Sequence, residues 1–218
     1  MAAPIRTHKV YTNIRRLLDR LTRMSPAGRV SSQLLQGLLE GQLEYHNRWD
    51  DLRAPATSIN PPGIVSDPDI DEDGSFLFDH VGIEQIAIIL QMPHAWKEGS
   101  GVRPHVHWQK TTDAAGDVIW ELRHRLIKLD GLTPVWSSWV ASDSKTLDPG
   151  STQVVVLYGF PEIDMTGYRG SAIAAFQLRR NTGASDTYGT DARLWEFDLH
   201  YLTDGHGSEF ELVKGDVD

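Results

Sequence analysis

The sequence predicts a mainly β protein, an antiparallel β-sandwich of jelly-roll type preceded by an N-terminal α-helical arm. Three observations lead there. Short runs of alternating apolar and polar residues recur between residues 75 and 202, broken by turn signals at the spacing of all-β sandwiches. Nothing in that region repeats with a helical period. The first 48 residues do, with apolar side chains returning at steps of three and four.

In chain order, Tyr11, Ile14, Leu17, Leu18 and Leu21 form an apolar stripe with arginines opposite, which predicts a first helix from Tyr11 to Met24. Ser25 and Pro26 then supply an N-cap and a first-turn proline, and a second stripe runs through Val30, Leu34, Leu35, Leu38, Leu39, Leu43 and Tyr45 to about Trp49. Gly37 and Gly41 fall on one face of it, where a neighbouring helix can come close. These stripes are too small to make a core, so three or more copies bundle there or the arm lies on a partner. The contact residues expected are Tyr11, Ile14, Arg15, Arg16, Leu18, Leu21, Leu34 and Leu38. Residues 49–74, with Pro55, Pro61, Pro62, Pro68 and many turn formers, read as an extended linker. Residues 75–218 then hold the sandwich, with strands expected at 75–80, 83–92, 103–110, 118–128, 134–141, 152–160, 172–180 and 193–202. In the last, Trp195, Phe197, Leu199 and Tyr201 alternate with Leu194, Glu196, Asp198 and His200, which predicts one greasy and one charged face.

Composition narrows the function classes. The chain has 218 residues and no cysteine, so disulfides, thiolate metal sites and cysteine nucleophiles are excluded. No apolar run approaches the roughly 20 residues that span a bilayer, and the N-terminus lacks the apolar core of a secretory signal, so neither membrane insertion nor export is expected. The net charge of -9 divides into +6 over residues 1–30 and -15 over the rest. Such a split suits a basic arm that meets something acidic, another protein, nucleic acid or the protein's own body in an oligomer; the alternative is a solvated helix face. No specific nucleic-acid binding is expected.

RPHVHW, residues 103–108, carries the strongest chemical pattern. Alternate residues of a strand share a face, so His105 and His107 point one way and Val106 and Trp108 the other. Two imidazoles on one face can chelate a metal, and Gly99 precedes His105 at the cupin spacing. The glutamate and the later histidine of the cupin pattern are missing, so no third ligand is visible in sequence. The expectation is therefore no metal and no cofactor: Val106 and Trp108 pack inward, while His105 and His107 occupy a surface or inter-subunit face near His94, His124 or His200. Residues 67–73 resemble a calcium loop, but position 12 from Asp69 is His80 rather than glutamate, and a turn-rich acidic loop is the default. Nucleophile elbows, P-loops and dinucleotide fingerprints are absent, and no catalytic residue is expected. Trp108, Trp120 and Trp195 fall on apolar faces; Trp96, Trp136 and Trp139 are the tryptophans with a surface role to play.

Four strings, WDDLRAPATSINPPG (49–63), LFDHVGIEQI (77–86), MPHAWKEGSGVRPHVHWQKTT (92–112) and DTYGTDARLWEFDLHY (186–201), resemble a family of structural proteins encoded by tailed bacteriophages. The resemblance covers most of residues 49–201 and is weaker over the arm. It implies a virion component made in the bacterial host cytoplasm: a short fibre, a tail or collar attachment, or a head decoration (cement) protein. The expected partners are further copies of the chain in a homotrimer, other virion proteins, and a host surface glycan. The competing classes are a cupin-like metalloenzyme using His105 and His107, and a carbohydrate-binding module using Trp136 and Trp139.

Overall fold

The computed structural model describes residues 48–61, 66–129, 131–142, 156–183 and 185–204. The chain divides between His46 and Asn47 into two compact units, and the described residues belong to the second. The two helices expected in the N-terminal arm lie outside the described residues.

Among the described residues ten strands form two antiparallel sheets: β1 (Arg48–Pro55), β2 (Asp69–Ile70), β3 (Phe76–Phe78), β4 (Gln85–Gln91), β5 (Val102–Lys110), β6 (Trp120–Ile127), β7 (Val140–Ala141), β8 (Val156–Gly159), β9 (Ile173–Arg180) and β10 (Ala192–Thr203). A 3-10 turn, Ala56–Ser58, follows β1. The first sheet runs β2-β3-β10-β5-β8, with β1 sharing the β3 side of β10; the second runs β4-β9-β6-β7. Each sheet thus interleaves strands from both halves of the chain.

All eight expected runs contain a strand, although 134–141 holds only the two residues of β7 and 152–160 only β8 within its described part. The linker expectation over 49–74 fails at both ends. Residues 48–55 pair in register with β10, from Arg48 beside Thr203 to Pro55 beside Glu196, and β2 pairs with β3. RWDDLRAP escapes the alternation signal because it is an edge strand, polar on its outer face and offering only Leu52 and buried Ala54 to the core.

The core lies between the sheets. Phe76, Phe78, Val106, Trp108, Phe197 and Leu199 come from the first, and Ile86, Ile88, Trp120, Leu122, Phe176 and Leu178 from the second. Phe78 meets Trp120 edge-on with centroids 5.0 Å apart, and Trp108 meets the same indole at 6.2 Å. Such aromatic pairs add about 0.5–1.5 kcal/mol each beyond their buried area. Trp96, expected at the surface, is fully buried, with its indole N–H donated to Ser100 Oγ. Trp195 departs in the other direction. The β10–β5 register passes from Leu194↔Trp108 to Glu196↔His107, so Trp195 is the additional residue of a β-bulge. Leu194 and Phe197 both reach the core, while half-buried Trp195 donates its N–H to Gln109 Oε1 at 3.0 Å.

At one end of the sandwich, Arg180 at the close of β9 is completely buried. Its Nε and Nη2 hold Asp186 at 2.9 and 2.7 Å, Nη1 donates to the carbonyls of Phe78 and Thr190, and Nη2 also donates to that of Tyr188. The guanidinium therefore uses its donor set on the second sheet's neighbours in the first sheet and on the loop between β9 and β10. Removing it leaves the Asp186 carboxylate buried without its counter-ion. Arg180→Met is expected to cost about 3–5 kcal/mol in urea unfolding, and Arg180→Met/Asp186→Leu to cost less than the single change; a double-variant loss equal to the sum of the two single losses would show that the pair is not coupled.

Candidate functional site

The bulge leaves Glu196, Asp198 and His200 on the outer face of β10, and the register sets them against His107, His105 and Arg103 of β5. On the far side of β10, Arg53 and Asp51 of β1 stand opposite Asp198 and His200. The outer face of the first sheet thereby gathers ionisable side chains on three adjacent strands.

His105, His107 and Asp198 meet at its centre. The Nε2 atoms of the two histidines are 3.1 Å apart, and Asp198 Oδ2 lies 2.9 Å from that of His107 and 3.4 Å from that of His105. Although they sit on the outward face, the His105 and Asp198 side chains are only 8% and 4% exposed; His107 forms the rim at 29%. The His200 ring packs at 4.1 Å from that of His105, and its Nε2 pairs with Asp51 at 2.7 Å. Arg53 grips Glu196 through two bonds of 2.7 and 2.6 Å, and Arg103, held by Glu162 at 2.9 Å, stacks over Trp49. Among the described residues nothing hydrogen-bonds to Asp198 Oδ1 or His105 Nδ1, both buried.

The electrostatics follow from this burial. Desolvation pushes the Asp198 carboxyl up, but the hydrogen bond from His105 and the charges of His107 and His105 outweigh it, and the group lies below the usual carboxylate range. Burial, aided by the positive charge available at His105, holds the His200 imidazole down against the pull of Asp51. At the edge, burial and the bond to Asp50 push the Tyr201 phenol up to about 12.

Val106 and Trp108 point into the core, away from the histidine pair. Of the three histidines expected nearby, His200 is present; His94 instead contacts Ser171 Oγ at 2.8 Å, and His124 lies in the second sheet beside Ser137. Asp198 was not singled out by sequence, because its partners lie in a distant strand; the signal available was its place on the charged face of β10.

Trp136 and Trp139 lie over the outer face of the second sheet, interleaved with arginines. Arg125 and Arg123 stack on Trp136 at 4.5 and 5.4 Å, and Arg123 and Arg179 on Trp139 at 4.7 and 3.9 Å. Guanidinium groups thus occupy ring faces that a sugar would need. In the acidic loop, Asp71 and Asp73 both pair with Arg193, and Asp73 Oδ1 accepts from Ser75, so these carboxylates neutralise an arginine rather than converge on an open centre. A second histidine–carboxylate group, Asp79, His80 and Asp191, is half-exposed, with His80 Nδ1 at 3.1 and 3.9 Å from the two acids. The arm contacts from Tyr11 to Leu38 lie outside the described residues.

No family model and no curated protein matches the chain. Among solved structures it is similar to a family two carbohydrate esterase from Cellvibrio japonicus (12% identity, TM-score 0.32, covering 72% of this chain and 34% of that one). It is similar also to a structure of infectious bursal disease virus, Gx strain (15% identity, TM-score 0.35, 72% and 32% covered). A third is TmCBM61, solved in complex with β-1,4-galactotriose (12% identity, TM-score 0.28, 74% and 93% covered). The chain spans about a third of the length of the first two.

His124 supplies a pH test away from the cluster. Burial lowers its pKa, so the fold favours the neutral ring; that stability is complete above the unfolded value near about 6.5 and is lost as the pH falls from there through the lower folded value. Urea unfolding between pH 8 and 5 is expected to show a decline below about 6.5 that His124→Gln makes shallower; an identical slope in the variant would assign the decline elsewhere.

Proposed function

We propose that this chain is a non-enzymatic structural component of a tailed-phage particle, a homo-oligomeric jelly roll anchored through its N-terminal segment as a fibre or as a tail or collar attachment. The strand order supports the jelly-roll part of this reading. Setting aside the two-residue β2 at the edge and taking β1 and β3 together as one position, the first sheet sets the first, last, third and sixth strands side by side, and the second sets the second, seventh, fourth and fifth. That nesting is the winding of a jelly roll, a fold used for viral shells as well as for lectins and cupins. Fold alone does not assign function. The virion reading draws its support from the four sequence strings of the sandwich, and the geometry accounts for them as architecture. Trp96 of MPHAWKEGSG plugs the core, and Asp186 and Tyr188 of DTYGT bind Arg180 and the loop at Thr112.

Two further features suit assembly. β1 begins at Arg48, opposite Thr203, directly after the basic N-terminal segment in the sequence. On the outer face of the second sheet, Ile89 of edge strand β4 is 73% exposed and, through Ala175 of β9, adjoins the region of exposed Ile173. Copies clustered on one particle gain avidity because each further contact becomes intramolecular. A head decoration role would use the same parts.

Removal of residues 1–48 is expected to abolish incorporation into particles while the remaining chain keeps the β circular dichroism of the whole; normal incorporation would overturn the anchoring role. Ile89→Lys, which places a charge on a side chain with no core contact to lose, is expected to shift the self-association midpoint upward in sedimentation without lowering thermal stability. An unchanged midpoint would remove this face from the assembly.

A further inference from the structure

The contacts among His105, His107 and Asp198 cannot all be satisfied by hydrogen bonds. If both Nε2 atoms carry protons, two N–H groups crowd onto one oxygen with their nitrogens only 3.1 Å apart. If one is bare, its lone pair faces either the Asp198 oxygen at 2.9 or 3.4 Å or the other ring with nothing between them but a shared proton. In every protonation state one edge of the triangle is a poor contact, and it is buried, where such contacts cost most. One occupant relieves all three edges at once: a cation that accepts a lone pair from each atom.

The dimensions fit. A metal with bonds of about 2.1 Å separates neighbouring ligands by about 3.0 Å in octahedral and about 3.4 Å in tetrahedral geometry. The observed edges of 2.9, 3.1 and 3.4 Å span that range. We infer that His105 Nε2, His107 Nε2 and Asp198 Oδ2 form a site for a divalent first-row transition ion of the zinc or ferrous class. Two imidazoles and one carboxylate occupy one face of its coordination sphere, and the remaining positions go to water or to a donor from another molecule. The donor set selects against calcium and magnesium, which take oxygen ligands. Sheet register holds the Asp198 carboxylate beside the two rings, and its unpartnered Oδ1 is the second oxygen of a chelating mode. Strand β5 supplies two ligands at a fixed spacing and its neighbour β10 the third, directly opposite His105, so the site is held by sheet register rather than by a loop. The site stands independently of the virion reading, since it requires only the folded sandwich.

The test uses the full chain, stripped with chelator and carrying no polyhistidine tag. Titration with Zn2+ by calorimetry, and with Co2+ followed by its visible d–d absorption, is expected to show one tight equivalent per chain, with Ca2+ and Mg2+ at the same concentrations producing no heat. His107→Ala, at the rim, is expected to lose roughly a hundredfold or more in affinity, since even outer-shell changes at metal sites cost about 10–100-fold. Asp198→Asn is expected to weaken binding and alter the cobalt spectrum, and His80→Ala, in the other histidine–carboxylate group, to bind as wild type. Circular dichroism of each variant establishes that it is folded. Absence of Zn2+ and Co2+ binding to the wild type, equal binding by folded His107→Ala, or loss of the tight equivalent in His80→Ala overturns the assignment. Absence of the intact full chain from particles, with metal binding as expected, would sink the virion reading alone.

Discussion

A single buried guanidinium sets the terms on which the two sheets meet. Arg180 ends the middle of the second sheet, yet its bonds go to the first sheet at Phe78 and to the stretch that leads into β10 at Asp186, Tyr188 and Thr190. A charge in such a place is tolerated only when its donors are matched, and here carbonyls and a carboxylate match them. The consequence reaches the rest of the fold through β10. That strand is the axis of the first sheet, pairing with β1, β3 and β5, and the loop pinned by Arg180 determines where it starts. With its start fixed, register places Asp198 opposite His105.

Much of this architecture was legible in the sequence because the sandwich pays its entropic cost with alternating apolar residues, and alternation is a local signal. Every run from Ile83 to Leu202 with a strong period of two contains a strand. What escaped was whatever depended on partners far along the chain. β1 has little apolar patterning because a neighbour covers only one of its edges and its outer face is charged. The bulge at Trp195 breaks the expected alternation without any glycine or proline to announce it, so Leu194 rather than Trp195 took the core position. Trp96 sits in a turn-rich string that looks like surface, but the turn folds its indole back onto the core.

The histidine pair shows the same boundary at the level of chemistry. That His105 and His107 share a face follows from strand geometry alone, and no more could be read from HVHW itself. Whether two imidazoles are a surface ornament or two thirds of a coordination triangle depends on the residue across the ladder. That residue becomes visible only once β10 is paired with β5. The tryptophans on the opposite sheet illustrate the converse, for Trp136 and Trp139 are half-buried and stacked with Arg123, Arg125 and Arg179.

The pairing of β1 with β10 also governs how the body answers to force. Tension between the segment before Arg48 and the segment after Thr203 acts at the same end of an antiparallel pair and peels its rungs in succession, like a zipper. Tension that enters at Arg48 and is resisted by the far end of the sandwich loads the whole ladder to Pro55 together, in shear. The same strand is therefore a weak seam in one direction of pull and a mechanical clamp in the other.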